Sequence, residues 1–209
     1  MVTDNLSAYI STLAANIVNI IVQAALVLVY VIFLLLEQNT FATKVANMFP
    51  NEARRAEAEQ VLGSIKQQIQ KYVSIKTLVS LLTGLGSFLV MRIIGLDYAL
   101  VWASIVFLLN YIPYVGSIIA VIFPVGMSLL QFGNWTTVFI LFALLFVIQT
   151  AVGYFIEPWL MGNSLDISPF IVLFSIAVFG TIWGIIGMFL SVPLVIILMV
   201  IFSHFEATR

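Results

Sequence analysis

Apolar residues gather into five runs along the chain. The first is about 14–36, ended by Glu37-Gln38-Asn39; the second is about 77–95. The third, about 98–131, is interrupted by Asn110-Tyr-Ile-Pro113-Tyr-Val-Gly116, and the fourth, about 135–156, stops at Glu157-Pro158. The last, about 168–203, is interrupted from Gly180 to Gly187 and again at Pro193. A helix needs roughly 20 apolar residues to cross about 30 Å of hydrocarbon, so each run is long enough to be membrane-embedded. The pattern predicts an all-α, polytopic transmembrane protein.

The third and fifth runs are too long for one crossing and barely long enough for two. Their central breaks point to interrupted helical hairpins. We read these as broken or re-entrant segments entered from opposite sides, the arrangement of secondary transporters with a site near the midplane. Irregular backbone survives there only where protein or a water-lined cavity satisfies it. The alternative is a pair of tight hairpins whose arms all span.

The polar stretch 37–76 separates the first two runs. It holds Lys44, Arg54, Arg55, Lys66, Lys71 and Lys76, six of the eight Lys and Arg residues. Asn51, after Pro50, is a plausible N-cap, and Glu52 suits the positive end of a helix. Val61, Leu62, Ile65, Ile69, Tyr72 and Val73 then recur at helical spacing, which predicts an amphipathic helix leading into the second span. Its apolar face is expected to pack against neighbouring helices or the lipid surface. The basic charge places this stretch in the cytoplasm, with the turn near Gly95-Leu96-Asp97 outside and the Glu157–Ser168 connection inside. The organisation expected is an N-terminal transmembrane helix over 1–36, a cytoplasmic amphipathic segment over 37–76, a transport core over 77–203 and a cytoplasmic tail over 204–209.

Composition sharpens this picture. The chain is 63% hydrophobic and 8% charged, with a net charge of −1, and its mean hydropathy is +1.18. A soluble domain carries about 25% charged residues, and 17 clustered charges of mixed sign make no nucleic-acid surface. With no cysteine, thiol chemistry and thiolate metal sites are excluded. The lone histidine, His204, leaves no HExxH or Ser-His arrangement, and neither a GxGD pattern nor a Walker loop occurs. No enzyme, cofactor or metal is expected, and active transport would be secondary.

Between residues 77 and 203 the charged side chains are Arg92, Asp97, Glu157 and Asp166. Charge at membrane depth costs several kcal/mol, which makes each a functional candidate. Arg92 and Asp97 sit at a predicted interface, and Asp166 can cap the helix after Ser168-Pro169. Glu157 is the strongest candidate, because Pro158 disrupts the helix and frees a carbonyl beside a carboxylate. Asn110, Gln149 and Thr150 lie in apolar sequence and need hydrogen-bond partners, from neighbouring helices or from a solute. Gly180 and Gly184 form a GxxxG close-packing pattern, and Trp102, Trp135, Trp159 and Trp183 read as interface anchors or packing.

Several motifs recur in one order: Asn110-Tyr-Ile-Pro113-Tyr-Val-Gly116, Glu157-Pro158-Trp-Leu-Met-Gly162 and Leu165-Asp-Ile-Ser168-Pro169. They are followed by Gly180-Thr-Ile-Trp-Gly184-Ile-Ile-Gly187 and Leu190-Ser-Val-Pro193. Together with Tyr72-Val-Ser-Ile-Lys76-Thr, they resemble the C-terminal signature of the autoinducer-2 exporter-like transporter family. The resemblance runs from about residue 14 to the end. It implies a homo-oligomer in a prokaryotic inner membrane that exports a small polar solute such as autoinducer-2, or exchanges sodium for protons. Among the polar and charged candidates, Glu157, Asn110, Gln149 and Asp166 are expected to line the transport path, and of these Glu157 and Asn110 match the family's motifs. Helix breaks are expected at Pro113, Gly116, Pro158, Gly162, Pro169, Gly180, Gly184, Gly187 and Pro193. Chains of that family usually carry further N-terminal spans, which are expected to be missing here. A non-transporting scaffold that docks partners through the 37–76 helix is the alternative of another class.

Overall fold

The computed structural model describes residues 51–162 and 167–206, with side chains to Ser203. The first apolar run, the 1–36 segment, Lys44 and Asp166 therefore lie outside the described residues. The described residues divide between Gln60 and Val61 into two units. The described part of the first is the exposed start of a long helix, where Arg55 pairs with Glu59 at 3.2 Å.

That helix, α1, runs Glu52–Ile94 without a break. Asn51 caps it, its Oδ1 accepting from the Ala53 N–H at 2.9 Å. Beyond it come α2 (Ala99–Leu109), α3 (Val115–Phe132) and α4 (Trp135–Thr150). A π-helical turn over Ala151–Ile156 carries α4 into α5 (Glu157–Met161). The chain closes with α6 (Pro169–Trp183) and α7 (Ile185–Glu206). Among the described residues, four continuous helical stretches are long and apolar enough to cross a membrane, and the protein is a multi-pass membrane protein.

Both interrupted runs fold as hairpins with one short and one long arm. At 1.5 Å per residue, α2 with 11 residues reaches about 16 Å and α6 with 15 about 22 Å, short of the hydrocarbon thickness. Their partners α3 and α7, with 18 and 22 residues, reach about 27 and 33 Å. The length of α2 favours the interrupted reading over four full-length arms.

The two breaks share a device. A Cβ on Gly116 would collide with the Leu109 carbonyl oxygen, and one on Gly187 with the Phe179 carbonyl oxygen. Each glycine, in the first turn of the long arm, lets that arm press onto backbone near the end of the short arm. At the second break Gly184 adopts φ 64 and ψ −142, a region closed to residues with a Cβ.

Three expected breaks are corrected. Pro193 lies inside α7, which continues through it. A proline within a membrane helix forfeits one hydrogen bond, and neighbouring helices hold the rest of the ladder. Gly180 lies inside α6, where a Cβ would meet Met188 Cγ at 2.9 Å, so it serves packing rather than breaking. Pro158 does not stop the fourth run, since the helix continues to Met161 and ends at Gly162.

Packing of the second unit follows the helical faces. Met91 of α1, Leu96, Ala99 and Ala103, Val121 of α3, and Leu141 and Leu145 of α4 form one buried cluster. Val61, Ile65, Ile69 and Tyr72 of α1 pack with Val192, Ile196 and Val200 of α7 in another. Between them α1 buries Ser80, Thr83, Gly84 and Ser87, small side chains that admit α2 closely. A Cβ on Gly84 would stand 3.1 Å from Phe107 Cβ. Of the tryptophans, Trp102 is partly buried and stacks on Phe123 with centroids 6.5 Å apart, whereas Trp135, Trp159 and Trp183 are exposed.

Candidate functional site

The amphipathic face of α1 sets one wall of the site. Ile65, Ile69, Tyr72 and Lys76 follow one another on that face at helical spacing, and Lys76 is only 3% exposed. Its ammonium meets the Glu157 Oε1 at 2.6 Å, across 81 positions of sequence. An ammonium taken from water needs such a partner, because an isolated buried charge costs many kcal/mol.

Glu157 owes its place to the turn before it. Pro158 has no N–H to give the helix, and the ladder widens just upstream. The Glu157 N–H donates to the Val152 carbonyl, five residues back. The wide turn over Ala151–Ile156 sits where α4 passes into α5 and carries the carboxylate to Lys76.

The ion pair lines a cavity of about 590 Å³. The α1 wall contributes Tyr72 and Lys76, and the first hairpin contributes Asn110, Pro113, Tyr114 and Ser117. The α4–α5 stretch adds Gln149, Thr150, Tyr154 and Glu157. Val172 and Val192 close it from the second hairpin. Such a volume suits a small solute, with a mostly apolar wall and a few fixed polar groups. Asn110 Nδ2 donates to Ser80 Oγ at 3.2 Å, and Gln149 Nε2 donates to the Ser117 carbonyl at 3.2 Å. The Tyr72 hydroxyl is buried with no hydrogen-bond partner. Glu157 is the one carboxylate among the described lining residues, and no group of three His, Asp or Glu gathers among the described residues as a metal would require.

The two breaks meet beside this cavity. Tyr111, in the first break, stacks on Phe189 in the first turns of α7, with centroids 4.9 Å apart. The Tyr111 hydroxyl donates to Thr77 Oγ1 at 2.8 Å, one residue beyond Lys76.

Of the residues singled out from the sequence, Asn110, Gln149 and Glu157 come together on this cavity. Arg92 and Asp97 are exposed and away from it. Sequence reasoning missed Lys76 and Tyr72 by assigning them to the polar segment. The available signal was a lysine four residues after Tyr72, a charge placed on the apolar face of an amphipathic helix.

Comparison with known proteins gives the same direction. The model of the family described as AI-2E family transporter matches residues 1–207. A putative transport protein of Borreliella burgdorferi is 40% identical over 96% of this chain and 56% of its own length. A putative transport protein of Haemophilus influenzae is 34% identical, over 89% of this chain and 53% of that one. The AI-2 transport protein TqsA of Escherichia coli is 32% identical, over 93% of this chain and 58% of that one. The chain thus spans about half the length of the curated relatives it matches. With the ordered motifs, the interrupted hairpins and a match along nearly its whole length, the chain belongs to the AI-2E family of transporters.

Proposed function

We propose that this protein is part of a secondary transporter in the inner membrane of a prokaryote. It exports a small polar solute of the autoinducer-2 kind, with neither cofactor nor catalysis, as a homo-oligomer. The observation that carries the proposal is the cavity, where polar side chains from α1, from the first break and from the wide turn before Glu157 converge. A relative named AI-2 transport protein supports the solute class. Hairpins with glycine-bearing breaks are the kind of interrupted segment on which alternating access about a fixed site is built. The test is solute accumulation in inverted vesicles from cells expressing the chain. Asn110→Ala and Gln149→Ala are expected to cut the initial rate about tenfold each, the loss of one or two solute hydrogen bonds. Rates equal to wild type in both variants would remove the cavity from the path.

The Lys76–Glu157 pair favours a second reading, cation/proton antiport, in which a metal cation competes with the ammonium for Glu157. Liposomes with a trapped pH dye, challenged with sodium or potassium, decide it. Cation-driven proton flux that disappears in Glu157→Gln supports antiport, and no flux in either protein rejects it.

A further inference from the structure

The ion pair is lopsided. The Lys76 side chain is 4% exposed and that of Glu157 19%. Lys76 is fixed on the buried face of α1, so its charge requires an anion beside it at all times. Glu157 stands on the cavity wall and has a neutral form available by taking a proton. One helical turn before Lys76, on the same face, the Tyr72 hydroxyl is a buried donor without a partner. An ammonium and a phenol on one face of a helix form a donor set for a carboxylate. Asn110 and Gln149 spend their amide nitrogens on Ser80 and Ser117. They therefore offer carbonyl oxygens, which accept from hydroxyl groups.

From this geometry we propose that the cavity binds a hydroxylated carboxylate, which takes the place of Glu157 on the Lys76 ammonium as Glu157 is protonated. The proposal rests on the transport reading and names its substrate class. No covalent bond changes. One proton from solution joins a Glu157 oxygen, Lys76 stays an ammonium, and the incoming carboxylate keeps the cavity neutral. The other titratable groups facing Glu157 around the cavity, among the described residues, are Tyr72 of α1, Tyr114 before α3 and Tyr154 on its own helix. None of these phenols carries a charge that would replace the carboxylate.

The test measures binding of labelled gluconate to the whole chain in lipid nanodiscs between pH 8 and pH 5.5. Glucitol, which has the same carbon chain without the carboxylate, is the competitor. Wild-type affinity is expected to rise as pH falls, by up to about tenfold per unit, because binding takes up one proton. Glu157→Gln should bind more tightly than wild type at pH 8, with no pH dependence and no displacement by glucitol. Added gluconate should raise its melting temperature. Lys76→Arg should keep binding, and the double variant Lys76→Met with Glu157→Gln, with neither charge left to strand, should fold and lose it. Glucitol competing as well as gluconate overturns the proposal. So does wild-type binding that ignores pH, or gluconate retained by the double variant. Flux of a neutral solute without gluconate binding overturns the anion assignment and leaves the transport reading standing. Gluconate binding without any solute flux keeps the anion site and rejects transport.

Discussion

A single ionic contact dominates the energetics at the scale of residues. Replacing one partner of a buried pair strands the other charge, at about 3–5 kcal/mol for a fully buried pair. Glu157 is partly exposed, so Glu157→Gln is expected near the lower end, seen as a fall in melting temperature in detergent. The double change Lys76→Met with Glu157→Leu should recover most of that loss, since both charges leave together. A double variant as unstable as the single one would show that packing, not charge, governs the position. Glycines divide just as sharply. Gly116→Ala and Gly187→Ala each drive a methyl into a carbonyl and should cost more than about 3 kcal/mol, whereas Gly126, with open space around it, should accept alanine without loss. Fluorescence-detected size exclusion after a heating series reads all three. Glu157, Asn110 and Gln149 were legible in sequence because a polar group in an apolar run needs a reason. Lys76 was missed, because at a junction of polar and apolar sequence only its register with Tyr72 on the apolar face separates a buried lysine from a solvated one.

At the scale of elements, the periodicity of apolar residues located α1 through the 61–73 stripe, and the Asn110–Gly116 interruption marks the break between α2 and α3. Prolines misled. Their missing N–H is visible in sequence, but whether a helix stops, bends or widens depends on what holds the turns on either side. Pro193 is absorbed into α7, and Pro158 follows a widened turn that moves Glu157. Pro158→Ala restores one backbone donor, worth about 0.5–1.5 kcal/mol. It is expected to lower transport, because a regular α-helical turn would carry the carboxylate away from Lys76, and to lower the melting temperature, because the stranded ammonium outweighs the restored bond. Unchanged transport with higher stability would mean that the wide turn does not position Glu157.

Among the described residues, nearly every helix presents apolar side chains outward, as a lipid-facing protein must. The chain has no native cysteine, so single cysteines report sidedness cleanly. If α2 and α3 re-enter from one face, cysteines at Asp97 and Asn134 should react with an impermeant maleimide from one side, and one at Tyr114, in the break between the arms, should not react from the other. Labelling of position 114 from the side opposite to 97 and 134 would show that both arms cross.

Sequence by itself determined that this chain is membrane-embedded and helical, and which family it belongs to. Those properties depend on composition, local periodicity and ordered motifs. Tertiary structure decided which interruptions matter, and that a lysine on α1 and a glutamate 81 residues later share one cavity. Both decisions come from long-range packing: a glycine seated on another helix's carbonyl, and a buried ammonium that is stable only where the fold supplies its counter-charge.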